Sequence, residues 1–116
     1  MAQGTEANLY YACFTDPANA DSAAERSRQF DAHKAWLKEH EADILVAGPL
    51  LAESLEPAGS GLIVFRTESA DAARRLAEAD PMHASGARTF RIVPWRINEG
   101  TLTARLTVST GSFDLT

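Results

Sequence analysis

The spacing of apolar and polar positions divides this chain into short strands and two helices. Residues 8–15, Asn-Leu-Tyr-Tyr-Ala-Cys-Phe-Thr, are rich in aromatic side chains and stop at Asp16-Pro17, which predicts a strand closed by a turn. From Ser22 to His40 there is neither Gly nor Pro. There Arg26, Phe30, His33 and Leu37 recur at helical spacing with Trp36 beside them, so a first helix is predicted, with Asp21 or Ser22 as its candidate N-cap. Residues 44–51 form a continuous apolar run interrupted by Gly48-Pro49. Because proline cannot donate to a ladder, this second strand is predicted to carry a bulge or to lie at a sheet edge. Gly59-Ser60-Gly61 leads into a third strand, Leu62 to Phe65, and nothing helical separates it from the second, so the two should pair as an antiparallel hairpin. Ser69 to Ala79 is Ala-rich, with Ala73, Leu76, Ala77 and Asp80 on one stripe. It reads as a second helix capped by Ser69 and stopped by Pro81. Thr89 to Trp95 completes the pattern as a fourth strand in which Pro94 favours an edge or a late position.

The order βαββαβ is the split arrangement of ferredoxin-like α+β folds, in which two helices cover one face of a four-stranded antiparallel sheet. The first strand is apolar on both parities: Leu9, Tyr11 and Cys13 on one side, Tyr10, Ala12 and Phe14 on the other. An apolar face left in water is costly, so a second subunit is expected to cover it and the chain to work as a homodimer, a dimeric α/β barrel. The tail from Thr101 to Val108 alternates with period two and predicts an extra C-terminal strand that can pair with the partner. Residues 109–116 are small and polar and are expected to fray. Residues 1–116 thus read as a single domain, with a core over 8–97 and an extension over 98–116.

Composition narrows the function classes. The 116 residues are 45% hydrophobic and 23% charged, and no apolar run approaches the roughly 20 residues that span a bilayer, so no membrane segment is expected. The N-terminus, Met-Ala-Gln-Gly-Thr-Glu, lacks the basic and apolar regions of a secretory leader, which points to the cytoplasm. A formal charge of -5, with 11 basic residues scattered along the chain, disfavours nucleic acid as a partner. One cysteine, Cys13, allows no internal disulfide.

Several segments together resemble a known family. His33-Lys-Ala-Trp-Leu37 is similar to a His-Leu-Ala-x-Leu segment on the first helix of the YCII-related (YciI-like) family, Ala47-Gly-Pro-Leu50 to its Ala-Gly-Pro turn, and Gly59-Ser-Gly-Leu-Ile63 to its Gly-Ser-x-x-Ile strand. Asp80-Pro81 followed by Gly86, and Val93-Pro-Trp95, continue the series in order over about residues 8–97. The resemblance implies a ferredoxin-like fold, a dimeric α/β barrel, and a pocket where the first-helix histidine meets the aspartate of the Asp-Pro turn, here His33 and Asp80. It also implies chemistry of the kind seen in one relative, a lyase that removes hydrogen chloride from a chlorinated hydroxyquinone. Phe30 stands where many members carry an arginine, and Arg28 is two positions out of register with it.

Histidine suits proton transfer near neutral pH, and a carboxylate partner fixes its tautomer and stabilises its charged form. His33 and Asp80 are therefore the catalytic candidates, set against a plainer reading of a core histidine and a turn-capping aspartate. His83, Trp36, Tyr11, Pro49 and Ser60 are the candidates for binding a small-molecule substrate, with aromatic packing in the core as the competing duty of Trp36 and Tyr11. His83 beside His33 and Asp80 is a weak metal pattern without a compact ligand motif, and Cys13 in mid-strand reads as a small hydrophobe before it reads as a nucleophile. No metal and no organic cofactor is called for. Two functions stay open: elimination or isomerisation of a small, aromatic or lactone-like substrate by a His-Asp pair, and a non-catalytic metabolite-binding or accessory dimeric module.

Overall fold

The computed structural model describes residues 8–115. The N-terminal segment on which the absence of a leader was read lies outside the described residues. The order is β1 (Leu9–Pro17), α1 (Ala23–Glu39), a single 3-10 turn (Glu41–Asp43), β2 (Ile44–Leu51), β3 (Pro57–Phe65), α2 (Ala70–Ala79), α3 (Pro81–Ala84), β4 (Arg88–Arg96), β5 (Ala104–Thr107) and β6 (Ser112–Leu115). The first four strands form one sheet in the order β2-β3-β1-β4, with every neighbouring pair antiparallel. This is the ferredoxin-like α+β arrangement: β3 fills the gap between β1 and the strand that follows α1.

The strands with a proline inside the ladder, β2 with Pro49 and β4 with Pro94, are the two edges, where a missing N–H costs no pairing; Pro17 and Pro57 stand only at the ends of the central strands β1 and β3. In β2 the register against β3 shifts between Ile44 and Val46 and again between Pro49 and Leu51, so the strand bends around Gly48-Pro49. Tyr11 and Cys13 of β1 and Ile63 and Phe65 of β3 point to the helix side, where they pack with Trp36 of α1 and with Ala73 and Ala77 of α2. Trp36 meets Phe65 edge-on at 6.2 Å. Ala73 and Ala77 are fully buried and let α2 lie close on the sheet; a larger side chain at either would cost about 1–3 kcal/mol by overpacking.

Successive side chains of a strand alternate between faces, so Tyr10, Phe14, Val93 and Trp95 lie on the side away from the helices. There Trp95 is 44% exposed, and Val46 of β2, opposite Val64, is 52% exposed.

Two expectations need correction. Ser22 sits at the N-cap of α1 but its backbone is already helical, and its hydroxyl donates to the Asn19 carbonyl and accepts from Arg26 instead of capping. The strand expected over residues 101–108 is present as β5, but residues 112–115, expected to fray, form β6 and pair with it in a separate two-stranded sheet. Gly111, at φ +69°, makes the turn between them.

Candidate active site

His33 lies mid-way along α1 on the side facing the sheet, and Asp80 lies at the junction of α2 and α3. The sequence dictates that junction locally. A residue before proline is pushed out of the helical region, and Asp80 adopts φ −62°, ψ 125°, ending α2. Pro81 is then well suited to the first turn of α3, since its missing N–H has no helical partner to lose. The Asp80 carboxylate turns back to accept the Met82 N–H at 2.9 Å, a side-chain N-cap.

Nδ1 of His33 lies 2.9 Å from both oxygens of the same carboxylate. Asp80 is 1% exposed, so its charge depends on such donors: a buried carboxylate without them would be expelled or neutralised. A carboxylate only accepts, which puts the proton of the neutral imidazole on Nδ1 and leaves Nε2 with a lone pair. His33 keeps 21% of its side chain exposed and lines a cavity of about 490 Å³ between α1 and the β2–β3 end of the sheet. Phe30, Leu37, Pro49 and Met82 give this cavity apolar walls, while Thr15, Ser60, Asp80 and Arg88 supply polar groups. Its volume falls in the range of small-ligand pockets. A second depression of about 480 Å³, at the C-terminal end of β3 around Asp43, Arg66 and Arg75, contains no histidine.

The structure brings together some of the sequence candidates and separates others. His33, Asp80, Pro49 and Ser60 line the cavity, although the Ser60 hydroxyl is donated to Asp16 at 2.6 Å. Tyr11 and Trp36 belong to the core cluster and do not line it. His83 does not line it either: its side chain is 2% exposed, Nδ1–H donates to the Ala77 carbonyl at 2.7 Å, and the ring packs against Phe90 at 4.6 Å. Burial, above all, lowers the His83 pKa, so the ring stays neutral at pH 7. His83 Nδ1 is 4.0 Å from Asp80, too far for a hydrogen bond. Among the described residues no group of three or more His, Cys, Asp or Glu side chains is arranged to hold a metal ion. Cys13 is buried, and its thiol is pushed up to about 12 by burial and, secondarily, by the Asp80 charge, which rules it out as a ready nucleophile.

Arg88, the first residue of β4, is a cavity residue that the sequence reading did not single out. Its Nη1 donates to the Gly59 carbonyl at 2.7 Å and to Thr15 Oγ1 at 3.2 Å. Burial and then the positive charge of Arg26 lower its pKa, with Asp80 and Asp16 acting in the opposite direction; an arginine so placed remains a cation. The signal that could have found it is the strand register, which sets Arg88 opposite Pro17 at the end of β1, beside Thr15.

A ferredoxin-like α+β domain with a His-carboxylate pair at the floor of a ligand-sized cavity is thus the class that the fold and site define. The family model of the YCII-related domain matches residues 9–96, and the chain belongs to that family. No curated protein matches the chain significantly. Among solved structures, it is similar in fold to the 5-chloro-2-hydroxyhydroquinone dehydrochlorinase TftG from Burkholderia phenoliruptrix AC1100, determined in complex with 2,5-dihydroxybenzoquinone. The TM-score is 0.65 at 22% identity, and the match covers 78% of this chain and 95% of that one. The β5–β6 hairpin lies beyond the residues of the family match.

Proposed function

We propose that this chain is a small-molecule enzyme in which His33 transfers a proton inside the cavity and Asp80 orients the ring and stabilises its charged form. The observation that carries the reading is the 2.9 Å contact between His33 Nδ1 and a buried carboxylate, beside a cavity that His33 itself lines. When Nε2 takes a proton, the imidazolium formed sits against the negative charge of Asp80, which lowers the energy of that state. Elimination fits this pair. Nε2 accepts the proton of a C–H bond, the C–H electron pair becomes a new double bond, and a leaving group on the adjacent carbon departs with its own bonding pair. In an isomerisation the same nitrogen returns the proton to a different carbon. Both reactions are redox-neutral and use no organic cofactor.

The likeness in fold to a dehydrochlorinase supports a small oxygenated ring as the substrate class. The domain is further proposed to act as a homodimer, because Trp95 and Val46 remain exposed on the sheet face that the helices leave open. The test is a panel of hydroxylated quinones, ring-containing acids and lactones incubated with the protein in deuterated buffer and followed by proton NMR. Substrate loss or deuterium entry at a carbon next to a carbonyl is expected. It should fall by about 10²–10⁴-fold in His33→Ala, the usual contribution of a positioned acid/base. A ligand that binds the wild type without exchange or turnover, and equally well in His33→Ala, would instead mark a metabolite-binding module.

A further inference from the structure

Arg88 is a cation without an anion. Among the described residues no carboxylate lies within 4.0 Å of its guanidinium, and its recorded partners are both neutral oxygens. A partly desolvated guanidinium left unpaired is costly, and such a charge is normally balanced by a carboxylate or by a bound anion. The group is also held in place. Nη1 uses both of its N–H bonds on Gly59 O and Thr15 Oγ1, and Thr15 itself is buried at 5% exposure. The remaining N–H groups, on Nε and Nη2, have no partner among the described residues and are not sealed from solvent. They form one edge of the planar fork, the edge that matches the two lone pairs of an anionic oxygen or the two oxygens of a carboxylate.

That fixed cation shares the cavity with His33 and Asp80, among walls that are otherwise mostly apolar. Lys34 also lines the cavity, but its ammonium lies over the Phe30 ring at 5.4 Å, on an exposed stretch of α1, and has no comparable anchoring. We propose that Arg88 makes this cavity selective for small ring compounds carrying an ionised oxygen, an enolate, phenolate or carboxylate, which it holds through Nε and Nη2 while the ring lies against His33. In a proton abstraction next to a carbonyl the same contact would also stabilise the negative charge that develops on oxygen.

The proposal rests on the cavity being the ligand site of the proposed function, but it is tested by binding alone. The probes are 2,5-dihydroxybenzoquinone, ionised at neutral pH, and its neutral dimethyl ether, titrated calorimetrically into the full chain at pH 7. The wild type is expected to prefer the ionised ring by at least about tenfold, the scale of one charge-assisted bidentate contact. Arg88→Met should reduce the preference to less than about twofold, and Arg88→Lys should keep part of it. His33→Ala should lower exchange by about 10²–10⁴-fold yet keep the preference, which separates failure of the proton-transfer reading from failure of this one. A wild type that shows no preference, whether it binds both probes or neither, overturns the proposal. So does an Arg88→Met variant that keeps its circular dichroism spectrum and its preference. Because the wild-type preference is decisive by itself, the test stands even if Arg88→Met does not fold.

Discussion

The two sides of Asp80 hold the same kinds of groups and put them to opposite uses. On the cavity side, His33 brings Nδ1 to 2.9 Å from the carboxylate and keeps part of its ring accessible. On the core side, His83 is 4.0 Å away, spends its Nδ1–H on the Ala77 carbonyl and is buried against Phe90. Ala77 O is one of the last carbonyls of α2, so His83 acts as part of a helix terminus. The difference teaches that nearness to an aspartate does not by itself equip a histidine for proton transfer: one ring nitrogen has to be committed to the carboxylate while the ring keeps access to a cavity. Cys13 belongs with His83: both are core groups held uncharged by burial.

Substitutions on the two sides should therefore separate activity from stability. The largest effect is expected from His33→Ala, a fall of about 10²–10⁴-fold in turnover with the fold retained, checked by circular dichroism beside the rate. Asp80→Asn keeps the shape and can still accept the Met82 N–H, but it removes the charge that stabilises the imidazolium; a fall of about 10²-fold is expected in the same assay. On the core side, His83→Leu should change turnover less than about threefold while costing about 1–2 kcal/mol in urea unfolding, since it strands the Ala77 carbonyl from one donor.

His83→Leu should also alter the pH dependence of stability. The folded-state pKa of His83 is depressed below its ordinary 6.5, so the unfolded chain binds the proton more readily than the native one. The wild type should thus lose stability as pH falls below about 6.5, and the variant should lose less over the same interval. The smallest effect is expected at Cys13. With its thiol at about 12, iodoacetamide should not label the folded protein at pH 8, and Cys13→Ala should cost only about 1 kcal/mol.

Much of the frame was legible because it follows from local rules. Pro49 pointed to a bulge or an edge, and β2 has both; Pro94 pointed to an edge or a late position, and β4 is an edge; Ser69 caps α2 by accepting the Ala72 N–H at 3.1 Å, and Asp80-Pro81 marked the end of that helix. The pair itself was legible from the helical stripe and the Asp-Pro turn, sharpened by the family resemblance. Helix α3 escaped because four residues are too few to show a helical period. The second tail strand escaped because Thr110-Gly111 was read as a small polar tail rather than as a hairpin turn, although Phe113 and Leu115 alternate with polar neighbours. Arg88 escaped for a different reason. Its meeting with Thr15 and Gly59 depends on three strands lying in register, which no local pattern records.

The most direct test of the His33–Asp80 pair is the tautomer of the His33 ring, read from the long-range proton–nitrogen NMR spectrum of the neutral imidazole. The expected result is a proton on Nδ1 and none on Nε2, with that pattern lost in Asp80→Ala. A proton on Nε2 with a bare Nδ1 would contradict it, because the histidine would then face the cavity as a donor and could not accept a proton from a ligand.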